Sequence, residues 1–398
     1  MQRPAGACRD QEDDKAESIR IDCLQQSETI AEMEASSRRA LVILCWLYVY
    51  LSFGHFESSP MKTAGRPPCD REAIRNGLWL KRRVEGEDGN LDYEWSVPTQ
   101  ECSFQSRFHP GDFCRLMANS VILVLGDSIS FEQYASLVRL TTNGTVIPDN
   151  LPGSAQHNRG LPVIINSCGQ SNVTLVFKVQ IALTANERSN SMDDILTKMP
   201  PTAVILNTGA HFMEDDAFMS TLPAFSHLEK WQQSCTSRNK IPCPFFYRTT
   251  FPGIPYCMNF TEPENNRIKV EEHVATPNPG KEWNAYHWKE FNRQNGLVLD
   301  YLASSKLQYE IIDGYEKGLT RPDTRKSVTD CLHNRVPAIA DAQNAAFLHY
   351  LKTILSEDDV ATMTKLNHGF DRRQNVNADL SGMNWDLVDS PDYPYNYK

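Results

Sequence analysis

The sequence predicts an α/β fold in which helices cover both faces of a mostly parallel sheet. Short, β-branched apolar runs recur between residues 120 and 312, helical patterns lie between them, and 40% of the 398 residues are hydrophobic. Strands buried on both faces read as continuous apolar runs, and their alternation with helices implies parallel crossovers.

The clearest strand is 120–125 (SVILVL), which ends at Gly126. Further strands are expected at 173–181 (VTLVFKVQI), 203–206 (AVIL), 244–247 (PFFY) and 309–312 (YEII), and helices over 131–140, 218–233, 283–303 and 339–355. In such folds sites form at the carboxyl ends of the strands. Fifty acidic against 40 basic residues give a formal net charge of −10. That balance argues against nucleic acid as a partner, because phosphate binding needs a basic face.

Ahead of the body lies an uncharged apolar run, 40–56 (ALVILCWLYVYLSFGHF), preceded by Arg38 and Arg39. A spanning helix takes roughly 17–25 apolar residues, and positive charge on the N-terminal flank holds that flank in the cytosol. The expected organisation is a cytosolic tail (1–39), a transmembrane signal anchor (40–56), a stem (57–68), a folded body (69–355) and a polar C-terminal tail (356–398). The membrane is then a partner through a single-pass type II anchor. Two other readings stay open: a cleaved signal, which makes the protein secreted, and a buried core helix.

Of 11 cysteines, Cys8, Cys23 and Cys45 lie before or inside the apolar run. The eight beyond it (Cys69, Cys102, Cys114, Cys168, Cys235, Cys243, Cys257 and Cys331) are the number that four disulfides need. No C-x-x-C pair and no zinc-finger spacing occurs, so no metal site is expected. Glycosylation sequons stand at Asn143, Asn172 and Asn259.

Directly after the first strand comes Gly126-Asp127-Ser128. A serine on a strand-to-helix turn presents its hydroxyl at a helix N-terminus, whose N–H groups favour an oxyanion. The tripeptide alone also suits a simple helix cap. A nucleophilic serine needs a base and an orienting acid, and Asp330-Cys331-Leu332-His333 offers both. The spacing lets the carboxylate receive the imidazole Nδ1–H while Nε2 faces Ser128. Asn207-Thr208-Gly209-Ala210-His211 follows another strand. The Asn207 amide there is a candidate oxyanion donor beside the Ser128 N–H, and His211 is a rival base or a substrate-lining residue.

Together these residues resemble the PC-esterase family of the SGNH/GDSL hydrolase superfamily, which includes plant trichome-birefringence-like polysaccharide O-acetyltransferases and their Cas1-type relatives. The resemblance runs from Cys69 to about Leu355. It is carried by Cys69-Asp70, the block GDSISFEQYASL with Gln133, Tyr134, Ser136 and Leu137, the segment Asn207-Thr208-Gly209, the strand Phe245-Phe246-Tyr247-Arg248-Thr249, and Asp330-Cys331-x-His333. Departures are Phe131 and Glu132 in place of Arg and Asn, Ala210 inserted before His211, and Asn334-Arg335 in place of Trp-Cys.

The resemblance implies a three-layer α/β/α sandwich and a Golgi membrane location with a lumenal catalytic domain. It assigns Ser128 as nucleophile, His333 as base and Asp330 as orienting acid. It adds Gly209 to an oxyanion hole with Ser128 and Asn207, and sets Asp127, Gln133, His211 and Arg248 along the substrate. It implies the disulfides Cys69–Cys102 and Cys257–Cys331. The expected activity is O-acetyl transfer through an acyl-serine to a polysaccharide or glycoconjugate hydroxyl. No cofactor is bound; acetyl-CoA or another acetyl carrier serves as co-substrate. Alternatives are an esterase using water and a catalytically silent glycan-binding ectodomain.

Overall fold

The computed structural model describes residues 66–81, 93–142, 162–183, 191–276, 287–327, 330–336 and 338–365. The described chain begins with α1 (Arg71–Arg75), β1 (Leu78–Lys81), β2 (Tyr93–Ser96) and α2 (Pro110–Leu116). It continues through β3 (Val121–Gly126), α3 (Ser128–Thr141), β4 (Val163–Ser167), β5 (Val173–Val179), α4 (Met192–Lys198) and β6 (Ala203–Leu206). Then come α5 (Asp215–Met219), α6 (Phe225–Asn239), β7 (Phe245–Arg248), α7 (Arg267–Val274), α8 (Phe291–Ser304) and β8 (Tyr309–Ile312). It closes with α9 (Gly314–Leu319), β9 (Arg325–Ser327), β10 (Asp330–Asn334), α10 (Ala338–Ile354) and α11 (Glu357–Met363).

Six strands form the central sheet in the order β4-β5-β3-β6-β7-β8. All neighbours are parallel except β4, which pairs antiparallel with β5. The pleat divides β3 between two cores: Ile122 and Val124 face one, with α2, α3 and α10, while Val121, Leu123 and Leu125 face the other, with α4, α6 and α8. A third apolar cluster joins Trp79, Trp95, Ile129, Phe251, Trp288 and Tyr315.

The chain leaves β3 toward β4 and β5 but leaves β6 toward β7, so the connections diverge between β3 and β6. That divergence opens a crevice at the carboxyl ends of these two strands, where the segments 126–128 and 207–211 emerge.

The sheet is mostly parallel, as expected. Other expectations need correction. The expected 218–233 helix is two helices, because Pro223 interrupts it in a short 3₁₀ turn. The body extends past 355: Ser356 and Asp359 form a capping box on α11, which buries Val360 and Met363. Among the described residues no helix is long and apolar enough to cross a membrane. The longest described helix, α10, has 17 residues and carries Asp341 and Lys352. A fold class that includes an anchor, the membrane as a partner and a single-pass Golgi location are therefore corrected for the described chain. The run at 40–56, the tail 1–39, most of the stem and residues 366–398 lie outside the described residues, as does Asn143. Asn172 and Asn259 are exposed.

Among the described residues four disulfides are present: Cys69–Cys102, Cys114–Cys168, Cys235–Cys243 and Cys257–Cys331. They include the two pairs that the resemblance implies. The last links the segment after β7 to the middle of β10 across a sequence separation of 74.

The turn leaving β3 tolerates only glycine. Gly126 has φ +151°, and a Cβ there would lie 2.1 Å from the Ser130 Oγ. Gly126→Ala is expected to lower the unfolding free energy by at least about 2 kcal/mol, through backbone strain and overpacking. Urea denaturation measures this; an unchanged midpoint contradicts it.

Candidate active site

Asp127 begins α3 as its N-cap, its Oδ1 accepting from the Ile129 N–H at 3.0 Å and the Ser130 N–H at 3.4 Å. Ser128 is thereby the first helical residue. Its backbone N–H belongs to the first turn, where the intrahelical ladder supplies no acceptor, and its side chain is half-buried.

The partner strand is β10, paired antiparallel with β9 with an irregular register between Asp330 and Asn334. Across that irregularity the Asp330 carboxylate turns inward. Its Oδ1 accepts the His333 backbone N–H at 3.0 Å, and its two oxygens lie 2.9 and 3.0 Å from His333 Nδ1. The other ring nitrogen, Nε2, lies 2.7 Å from Ser128 Oγ. Two side chains 205 residues apart thus share a proton position.

Electrostatics fix the roles. Burial raises the Asp330 carboxyl, but its hydrogen bonds to His333 and the imidazole charge outweigh this and hold it at about 2. Burial lowers the His333 imidazole, while the Asp330 hydrogen bond and the charges of Glu132 and Asp330 raise it further, above its ordinary value. An ionised Asp330 accepts Nδ1–H, leaving the Nε2 lone pair aimed at the Ser128 hydroxyl. Such an arrangement can activate a serine hydroxyl as a nucleophile.

The remaining expected site residues separate. Asp127 is beside the serine as the cap, with Oδ2 3.9 Å from His211 Nε2, so His211 stands at the edge of the site. Gly209 sits at φ +125° just beyond β6. Asn207 does not serve as expected: its amide Nδ2 donates to the Arg248 carbonyl at 2.8 Å and to Thr250 Oγ1 at 2.7 Å. The amide braces β6 against β7 and has no N–H left for an oxyanion. Gln133 and Arg248 do not line a substrate either. Gln133 is buried between α3 and α10, donating to Asn344 Oδ1 at 3.4 Å. Arg248 is wholly buried beneath α3 and donates to Ser130 Oγ at 2.9 Å; burial lowers its guanidinium to about 10, against the opposing charges of Asp127 and Glu132.

Two residues outside the expected set join the site. Thr250 takes the Asn207 amide. Glu132 is buried and its Oε1 accepts the Asn334 N–H at 2.9 Å. Its place four residues after Ser128 on a helix, hence on the same face, was the available signal. A separate groove of about 630 Å³ lies at the amino ends of β7 and β8, lined by Gln232, Cys243 and Tyr309 among others, and does not include Ser128, Asp330 or His333. Among the described residues, no group of three or more His, Cys, Asp or Glu side chains is placed to hold a metal ion.

No protein-family model matches the chain, and no curated protein matches it.

Asn207→Ala is expected to cost about 1–3 kcal/mol, since it leaves the buried Arg248 carbonyl and Thr250 hydroxyl without their donor. Equilibrium denaturation reads this loss; undiminished stability would show that the amide is not a brace.

Proposed function

We propose that the chain is a serine-dependent acyl-transfer enzyme that moves an acetyl group from a carrier to a carbohydrate hydroxyl through an acyl-Ser128 intermediate. One observation carries the reading: the hydrogen-bond chain Asp330–His333–Ser128, with 2.7 Å between the imidazole and the hydroxyl. The motif likeness to the PC-esterase family supports the choice of acetyl group and sugar acceptor.

In the first step His333 Nε2 takes the Ser128 proton as Oγ bonds to the acyl carbonyl carbon. The carbonyl electron pair moves to its oxygen, which the Ser128 N–H at the α3 N-terminus stabilises. Gly209 follows β6, the neighbour of β3, and its N–H is the candidate second donor in place of the Asn207 amide. Collapse expels the carrier, which takes the proton from the imidazolium. In the second step a sugar hydroxyl gives its proton to His333 and its oxygen attacks the acetyl-serine. Collapse then breaks the ester bond to Oγ and returns the proton to Ser128. Asp330 stays ionised throughout and stabilises the imidazolium.

An esterase follows the same path with water in the second step. The aligned triad favours either activity over a silent glycan-binding ectodomain.

Ser128→Ala is expected to reduce acetyl transfer from a labelled donor to oligosaccharides by at least about 10³-fold while leaving thermal unfolding unchanged. Fluorophosphonate labelling should be lost with it. Retained activity in that variant refutes the reading, and acetate released at the same rate with or without sugar selects the esterase.

The pH dependence follows from the imidazole. His333 works as a base only when neutral, and its folded-state value is raised above the ordinary 6.5. The acid limb of kcat/KM should therefore rise with a midpoint above 6.5, activity being lost as pH falls through it. A midpoint below the ordinary value contradicts the assignment.

A further inference from the structure

Glu132 is a carboxylate that the triad does not use. It lies one helical turn beyond Ser128 on α3 and is buried. Its Oε1 holds the backbone N–H of Asn334, the residue directly after His333, at 2.9 Å. On the other side of His333, Arg325 Nη1 donates to the Leu332 carbonyl at 2.8 Å and to Asn334 Oδ1 at 2.9 Å. The strand segment carrying the histidine is thus gripped by a charged group on each flank. One of the two grips comes from the helix that carries the serine.

We propose that Glu132 is a positioning residue of this centre: it locks the backbone beside His333 to the helix that presents Ser128, and it supplies the imidazolium with a second buried negative charge. The inference rests on the reading of Ser128, His333 and Asp330 as a catalytic triad.

The groups facing this pair come from four elements. Asp330 lies on β10 with the histidine, Arg325 and Lys326 lie on β9, Arg248 ends β7, and Asp127 caps α3. Burial dominates and holds the Glu132 carboxyl above its ordinary value; the charges of His333 and Lys326 and the Asn334 N–H oppose that rise, and the Asp330 charge adds to it. The wholly buried guanidinium of Arg248 and the almost wholly buried one of Arg325 also feel the Glu132 charge. These cations and the Asn334 N–H favour the ionised form of the carboxyl, against its burial. Its charge favours the protonated imidazole in the same direction as Asp330.

Glu132→Gln keeps an acceptor for the Asn334 N–H and removes the charge; Glu132→Ala removes both. The His333 ring is titrated by ¹³C NMR of histidine-labelled protein, with the signal assigned by its loss in His333→Gln. In Glu132→Gln the His333 midpoint is expected to move to lower pH, and the acid limb of kcat/KM to move with it. In Glu132→Ala kcat should fall about 10²-fold, as expected when a reacting group is displaced by about 1 Å. In the unmodified protein the Glu132 carboxyl carbon should show an inflection at the His333 midpoint, a readout that needs no variant to fold. An unmoved His333 midpoint in folded Glu132→Gln, or no such inflection in the unmodified protein, overturns the proposal. These titrations use no substrate. A protein that transfers no acetyl group yet shows the shift loses the proposed function and keeps this coupling; one that is active but unshifted loses the coupling alone.

Discussion

The 2.7 Å contact between Ser128 Oγ and His333 Nε2 is the constraint on which the architecture turns. The two residues gain that position in different ways. Ser128 depends on a buried parallel strand ending in a glycine of positive φ and on an aspartate cap that starts the helix one residue before it. His333 depends on a two-stranded ribbon that has no place in the central sheet and must be fastened to it. The fastening is chemical as well as apolar. Cys331, between Asp330 and His333 in sequence, is bonded to Cys257, and Arg325 reaches the Pro252 and Gly318 carbonyls, each at 3.0 Å. The segment after β7 and helix α9 therefore share in placing one imidazole.

Buried charged side chains pack among the apolar residues of the third cluster, and that has consequences for energetics. Arg248, Lys317, Arg321 and Arg325 are almost wholly removed from water. Desolvated cations are costly unless each finds hydrogen bonds and opposite charge. Arg325 spreads its hydrogen bonds over three carbonyls and one amide oxygen, Arg321 pairs with Asp323 at 2.9 Å, and Lys317 lies 4.7 Å above the Trp95 ring. Such pairs add little net stability over an apolar core, but each is strongly directional. The region that must hold Asp330 and His333 within a few tenths of an ångström is built from directional bonds, whereas the cores on the two sheet faces are built from Ile, Val, Leu and Phe.

The strands β3, β5, β6, β7 and β8 were legible because each is a short run of apolar residues whose burial needs no knowledge of partners. β4 was not. Asn166 and Ser167 break its apolar pattern, and only pairing with β5 makes Val163–Ser167 a strand. The contacts among Ser128, His333 and Asp330 were legible from the placement of Gly126-Asp127-Ser128 after a strand and from the spacing of Asp330 and His333. The surroundings were less so. Asn207, Gln133 and Arg248 carry side chains that suit an oxyanion or a substrate equally well as a buried brace, and only the acceptors around them decide. Those acceptors, the Arg248 carbonyl, Thr250 and Asn344, come from distant parts of the chain. Glu132 lay within reach of sequence reasoning through its helical spacing from Ser128, but its partner Asn334 is 202 residues away.

In the proposed reaction the Ser128 oxygen becomes covalently acylated with His333 as its base. The most direct test is mass spectrometry of the protein quenched in acid during turnover with an acetyl donor, followed by peptide mapping. An acetyl mass increment is expected on the peptide containing Ser128, assigned to that residue by fragmentation, discharged on addition of the acceptor and absent in His333→Ala. Turnover with no acyl group on Ser128, or with the group on another residue, would contradict it.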